Sequence, residues 1–221
     1  MKTSLLAGIA ISAFILASQA SAADYIAPSE TSFMPYVSVF AGASFPNDVN
    51  TTRYGTVDLS QGLSTGYLIG AAVGVDWGNV VRTEIEVSHN HWNGDALSTG
   101  GVPNTGFSSD VSATYLLGNV WLDWKNDSAF TPYIGGGLGV AFVNFDQTIS
   151  GNHGYAGNDT VLAYQLGAGV NFALSQQLSL DVGYRYKGTA NFDIHDGDGS
   201  PDFVNAHLGS HNVQVGLTYK F

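Results

Sequence analysis

The amino-acid sequence predicts an all-β fold: an eight-stranded antiparallel up-and-down transmembrane β-barrel with an N-terminal signal peptide. Three observations predict it. Apolar residues recur at every second position in eight segments, the connections between those segments alternate strictly between short and long, and after residue 22 no run of 18 apolar residues is available to cross a bilayer as a helix. A period of two is a strand period, because successive side chains point to opposite faces. A soluble sheet would have to bury its apolar faces under a second layer, whereas a closed membrane barrel turns them towards lipid. With 28 glycines and only 11% charged residues, the composition suits short strands and turns better than helices.

Residues 1–22 read as an export signal. Lys2 supplies the positive start, Leu5 to Leu16 an apolar stretch too short to span a membrane, and Ala20-Ser21-Ala22 a small-x-small cleavage pattern. Residues 23–34, with Pro28 and no period, read as a periplasmic tail, which leaves 35–221 for the barrel. Sixteen tilted strands of about 9 to 11 residues would consume nearly all of that length, whereas eight fit with loops to spare.

The first strand is expected over Pro35 to Ser44, with Val37, Val39, Ala41 and Ala43 opposite Tyr36, Ser38, Phe40 and Gly42. A polar loop, Phe45 to Ser64, separates it from the second strand, Thr65 to Trp77, where Tyr67, Ile69, Val73 and Val75 share one face and small residues the other. Gly78-Asn79 is a two-residue hairpin signal before the third strand, Val80 to Trp92. Asn93 to Ser108 is the second loop, and the fourth strand, Asp110 to Trp124, sets Leu116, Val120, Leu122 and Trp124 against Tyr115, Asn119, Trp121 and Asp123. A short turn leads into the fifth strand, Pro132 to Phe145, where Ile134, Leu138, Val140 and Phe142 alternate with glycine and alanine. Asp146 to Asn158 is the third loop. The sixth strand, Asp159 to Leu174, turns tightly at Ser175-Gln176-Gln177 into the seventh, Leu178 to Gly188. Ala190 to Gly209 is the fourth loop, and the last strand, Ser210 to Phe221, alternates His211, Val213, Val215, Leu217, Tyr219 and Phe221 with polar residues and glycine. Short periplasmic turns, long outer loops and both termini on the periplasmic side are the asymmetry of bacterial outer-membrane barrels.

The formal charge is −11 at pH 7, and losing Lys2 with the leader makes the exported chain more acidic still. That excludes a nucleic-acid partner, which needs a basic face. With no cysteine, the chain has neither a disulfide framework nor a thiolate site.

The two faces carry separate expectations. Trp77, Trp124, Phe172 and Phe221 fall at the periplasmic ends of strands and point outward, while Tyr67, Tyr164 and Tyr186 fall near the outer ends, giving two aromatic girdles. The inward faces hold Asp76, Arg82, Glu84, Glu86, Asp123, Asp181, Arg185, Lys187 and Lys220. An eight-stranded barrel is only just wide enough for side chains, so these charges must meet one another. The expectation is a buried network joining Glu84 and Glu86 to Arg82, Arg185 or Lys220, with no open water channel.

The signal peptide, the eight dyad strands, the inward glycines and the terminal Leu217-Thr218-Tyr219-Lys220-Phe221 resemble the small outer-membrane β-barrel superfamily, and within it the opacity-protein-like surface antigens, or porin-family proteins. The likeness spans the mature chain and implies a fold and a location more than an activity. Members act as envelope-stabilising proteins, adhesins, haem or small-ligand binders and lipid A-modifying enzymes. The resemblance implies insertion by the outer-membrane assembly machinery, with Tyr219 and Phe221 as its signal. It also implies contact with outer-membrane lipid and lipopolysaccharide, and a host or surface ligand at the loops. A monomer is expected.

Chemistry-bearing residues are few. His89 and His91 share one face of the third strand near its outer end, but the His-x-Ser pair of outer-membrane deacylases is missing, because His91 or Trp92 stands where the serine would be. The stretch Asp193 to Asp202 offers oxygen ligands at Asp193, Asp196, Asp198 and Asp202, a nitrogen at His195, and glycines for a divalent cation, without the spacing or terminal Glu of an EF-hand loop. His153, His195 and His207 all lie on outer loops, where they would have to meet to hold a metal or haem iron. Gly135-Gly136-Gly137-Leu138-Gly139 is no phosphate cradle, since it lies mid-strand with no Lys-Ser/Thr after it. No catalytic residue and no cofactor is expected. The expected function is a non-enzymatic outer-membrane protein serving envelope integrity or surface contact. The alternatives are an adhesin or receptor for a small ligand such as haem or a cation, and a lipid A-modifying enzyme.

Overall fold

The computed structural model describes residues 33–47, 49–53, 57–99, 102–104, 107–149, 153–195 and 201–221, with side-chain surroundings for all of these except 49–53, 57–62, 95–99, 102–104, 107–109, 146–149, 153–157, 192–195 and 201–206. Among them are thirteen strands: β1 (Met34–Pro46), β2 (Val49–Arg53), β3 (Val57–Leu63), β4 (Gly66–Asp76), β5 (Val81–Thr99), β6 (Val102–Asn104), β7 (Phe107–Asp123), β8 (Phe130–Ile149), β9 (His153–Ala173), β10 (Leu178–Thr189), β11 (Phe192–His195), β12 (Pro201–Ala206) and β13 (Gly209–Lys220). Eight of them, β1, β4, β5, β7, β8, β9, β10 and β13, close a ring in which each pairs antiparallel with its neighbours in sequence and β1 returns to β13. Closure runs from Tyr36 opposite Lys220 to Pro46 opposite Ser210. A closed ring has no free edge, the condition for strands to cross hydrocarbon.

Alternation decides what each face meets. Outward lie Val39, Ile69, Ile85, Leu138, Leu162, Leu166 and Leu217, all exposed as on every strand of the ring. Inward lie Tyr36, Ser44, Arg82, Glu86, Asn119, Tyr133, Arg185 and Asn212, all buried. Among the described residues no protein layer covers the apolar surface, so its partner is lipid. Slipping any strand by one residue would put charges in the hydrocarbon, which fixes the register.

The inward glycines set how closely the wall packs. A Cβ on Gly135 would collide with the Val120 carbonyl oxygen and lie 2.7 Å from the Trp121 ring, and one on Gly139 would strike the Leu116 carbonyl oxygen. Gly78 has a positive φ of 74°, and the β4–β5 turn depends on it. That turn is longer than the two-residue hairpin expected at Gly78-Asn79. Residues 77–80 lie outside the strands, closed by Trp77 N–H donating to the Val81 carbonyl (3.1 Å) and capped by the Asp76 and Asn79 side chains.

The four segments expected as long loops differ most from expectation. Within Phe45 to Ser64, Phe45 and Pro46 finish β1, and β2 and β3 follow as a hairpin. Within Asn93 to Ser108, β5 runs on to Thr99, β6 pairs with it and β7 begins at Phe107. Within Asp146 to Asn158, β8 and β9 continue to a tip where Ile149 faces His153. Within Ala190 to Gly209, β11 and β12 pair with each other and β12 joins β2. The dyad pattern is imposed by lipid on one face, and beyond the hydrocarbon nothing imposes it, so backbone pairing continues after the pattern has stopped. At about 3.3 Å per residue and a tilt of about 40°, the 21 residues of β9 rise about 50 Å. That is about twice the height of a typical lipid-facing band, so the wall projects well beyond the membrane as a crown. The tail expected to end at residue 34 loses Met34 to β1.

Candidate functional site

The interior is built in layers from the end that carries the short turns and chain ends, called here the terminal end, to the loop end. At the terminal mouth Asp76, fully buried, accepts from Lys125 Nζ (2.8 Å) and Lys220 Nζ (2.9 Å), tying β4 to the β7–β8 turn and to β13.

Above it lies a layer of arginine and aromatic rings. Arg82 Nε donates to Asp123 Oδ2 at 2.6 Å, and its guanidinium lies 5.1 Å from the Tyr133 ring. Arg185 stacks 4.2 Å over Trp121, donates to the Tyr133 hydroxyl at 2.7 Å and stands 4.0 Å from Asp181. The Tyr133 ring thus contacts both guanidinium groups, with Trp121 edge-on at 5.5 Å. Glu84 accepts from three neutral donors, Tyr36 Oη (2.7 Å), Trp121 Nε1 (2.8 Å) and Asn119 Nδ2 (3.0 Å).

The third layer centres on Glu86 and Lys187. Lys187 Nζ donates to Glu86 Oε1 at 2.6 Å and to Ser88 Oγ at 2.5 Å, and sits 4.9 Å from the Tyr115 ring. The other Glu86 oxygen accepts from Gln165 (2.7 Å) and Asn119 (3.0 Å). Towards the loop end the lumen divides. On one side Asn90 donates to Ser44 and Asn212, and Trp92 Nε1 donates to Ser44. On the other, Val111, Ala113, Leu117, Ala141, Val143 and Val161 form an apolar cluster with Leu208 and the Trp92 ring. Between Arg82, Glu84, Glu86, Trp121, Tyr133 and Arg185 there is a cavity of about 30 Å³, room for a water or two.

The nine interior charges expected from sequence are all inside, but their pairing differs. Glu86 meets Lys187 and not Arg82, Arg185 or Lys220. Among the described residues Glu84 has no cation within bonding distance, and Lys220 serves Asp76. Register explains this: Arg82 faces Trp121 across the β5–β7 ladder, which brings Asp123 to its diagonal, while Lys187 reaches Glu86 from across the lumen. Strand period sorts side chains to a face but says nothing about heights on opposite walls. The neutral partners Tyr36, Asn119, Trp121, Tyr133 and Gln165, the turn residue Lys125 and the apolar cluster were not singled out from sequence. Their inward parity was the available signal.

Outside, Trp77, Trp124 and Phe221 are exposed at the terminal end, with Phe33 edge-on to Trp77, Phe130 edge-on to Phe172 and Tyr219 edge-on to Phe221. Tyr67, Tyr164 and Tyr186 lie at the loop end, Tyr164 beside Tyr186 at 6.2 Å. His89 Nδ1 is 2.9 Å from Thr114 Oγ1, and His91 Nδ1 is 3.3 Å from Asp110 Oδ1. Glu86 points into the lumen, so no carboxylate on its side of β5 serves these imidazoles. Asp193 and His195 lie in β11, Asp202 in β12 and His153 at the start of β9, but their side chains, and Asp196 and Asp198 entirely, lie outside the described residues. His207 is exposed at the rim.

A closed ring of antiparallel strands with lipid outside and paired charges inside defines an integral outer-membrane β-barrel protein. The chain belongs to the outer membrane protein beta-barrel domain family, whose model matches residues 9–221. It is 26% identical over 205 residues to the outer membrane protein PagN of Salmonella typhimurium, covering 81% of this chain and 82% of that one. It is 26% identical to the 31 kDa outer-membrane immunogenic protein of Brucella melitensis along the whole of both chains. A putative adhesin of Rickettsia conorii is 24% identical, covering 80% of this chain and 74% of its own. Among solved structures, the outer membrane protein OprG from Pseudomonas aeruginosa shares the fold, with a TM-score of 0.56, 15% identity, and coverage of 89% of this chain and 99% of its own.

Proposed function

We propose that this protein is a non-conducting, non-enzymatic anchor: a monomeric barrel with a plugged lumen that holds an acidic, polar crown at the cell surface for surface contact. The observation that carries this reading is the stacking of the arginine–aromatic layer, the Glu86–Lys187 pair and the apolar cluster along one axis, around a cavity with room for a water or two. Each layer crosses the lumen through side chains from opposite walls. A relative named as a putative adhesin and another named as an immunogenic protein favour contact over transport.

Residues 1–22 are removed on export, and Tyr219 and Phe221 mark the chain for the assembly machinery. Planar-bilayer recording of the refolded protein tests the plug, and a steady pore of porin size overturns it. Surface contact is tested in a deletion strain complemented with a barrel whose β2–β3 and β11–β12 hairpins are shortened. Host-cell attachment falls with the deletion and is not restored by the shortened crown. If shortening leaves attachment intact while detergent sensitivity follows the barrel, the protein serves envelope integrity instead. An unchanged lipid A mass spectrum in the deletion strain dismisses the enzymatic alternative.

A further inference from the structure

The outward face at the loop end carries imidazoles in a row of tyrosines. Tyr67 is opposite His91, Phe45 is opposite His211 and His211 is opposite Tyr186, so the row runs through β5, β4, β1, β13 and β10. His89 lies two residues nearer the membrane than His91 on the same face. One residue pair deeper the face turns aliphatic, with Ile69, Val87 and Val213 exposed. This is the level at which amphipathic rings meet lipid headgroups.

The placement of fixed positive charge makes this row unusual. Arg82, Arg185 and Lys187 are inside the lumen, and Lys125 and Lys220 are held by Asp76 at the opposite mouth. Arg53 lies in β2 of the crown with its side chain outside the described surroundings; among the residues whose side-chain surroundings are described, the outward groups at the loop end able to carry positive charge are therefore histidines. Each of the three is held by one ring nitrogen: His89 Nδ1 by Thr114, His91 Nδ1 by Asp110, and His211 Nδ1 by the Tyr184 hydroxyl at 2.6 Å. Tyr67 stacks 5.3 Å from His91, and Tyr186 lies 5.1 Å from His211. The titratable groups facing the three are thus one carboxylate, Asp110, three tyrosines, and His89 and His91 to each other. Held through Nδ1, each ring turns Nε2 away from its anchor.

We propose that His89, His91 and His211 form a pH-dependent docking surface for the phosphomonoester groups of outer-leaflet lipopolysaccharide. Protonation turns a neutral tyrosine–histidine row into a cationic one at headgroup level, on a chain otherwise acidic overall. A basic patch would bind at every pH; this one responds to acidification of the medium.

The test uses the exported full-length barrel in maltoside micelles, which contain no phosphate, titrated with lipid A and with dephosphorylated lipid A at pH 5.5 and pH 8.0. Three added cations, each strengthening binding about fivefold, tighten lipid A binding on the order of 100-fold at the lower pH. Dephosphorylated lipid A shows no such gain, and millimolar inorganic phosphate does not displace the lipid. H89Q/H91Q/H211Q binds at pH 5.5 as the unaltered chain does at pH 8.0. Equal affinity at both pH values overturns the proposal, as does a triple variant that keeps the gain, which would assign it to protonation of surface carboxylates. Displacement by free phosphate overturns the choice of lipid. Should the triple variant fail to fold, imidazole NMR of the unaltered protein decides: titration midpoints rise with lipid A and not with its dephosphorylated form, and unmoved midpoints refute the docking.

Discussion

Replacing Lys187 with methionine removes the one cation within bonding distance of Glu86 among the described residues while keeping a chain of similar length. Lys187 is fully buried and Glu86 3% exposed, so neither charge has water to fall back on. After the change Glu86 keeps Asn119 and Gln165 as donors but loses the ammonium at 2.6 Å. Leaving one charge of a buried pair uncompensated costs about 3–5 kcal/mol. At about 1.4 kcal/mol per factor of ten, that is two to three and a half decades in the folding equilibrium. E86Q alone strands the ammonium and costs a similar amount. The double variant E86Q/K187M strands nothing, and a buried pair replaced by neutral groups of similar volume is often neutral or better. It therefore lies within about 1–2 kcal/mol of the unaltered protein, far from the sum of the single changes. The assay is reversible urea unfolding in lipid vesicles, read by the fluorescence of the interior Trp92 and Trp121. If K187M costs less than about 1 kcal/mol, or if the single costs add in the double variant, the pair does not stand across the lumen as described.

Three other outcomes follow from the same geometry. G139A places a methyl against the Leu116 carbonyl and costs about 1–3 kcal/mol, whereas G118A, whose added carbon has only the Leu138 carbonyl at 3.8 Å, is neutral; heat-modifiable gel mobility of the two variants compares them. If, as proposed, the Phe221 ring is read during assembly, deleting this residue, whose N–H donates to the Pro35 carbonyl but whose ring is 68% exposed, lowers the outer-membrane fraction in cells while refolding into micelles proceeds; equal loss in both assigns it a structural role. Calorimetric titration with Ca²⁺, Zn²⁺ and haem yields heats of dilution only, and a saturable heat abolished by D193N/D202N makes the β11–β12 segment a cation site.

Eight strands, their order and the face each residue occupies were legible in the chain, because lipid on one side and a narrow lumen on the other impose a period of two that glycine and aromatic residues reinforce. Val39 outward and Tyr36 inward follow from parity alone, even on β1, where the two faces differ least in character. The crown was not legible. Residues such as Thr51 and Leu59, or Thr99 and Val102, pair through their backbones beyond the lipid-facing stretch, and backbone pairing leaves no mark on composition. Gly78-Asn79 marked the place of a turn but not its length, which the caps from Asp76 and Asn79 decide.

Sequence by itself determined that Glu86 and Lys187 point inward, since each parity is a property of one strand. Only the tertiary structure decided that they meet. Two residues 101 positions apart are brought together by strand tilt, register and the width of the ring, and these belong to the closed barrel and not to any segment of the chain.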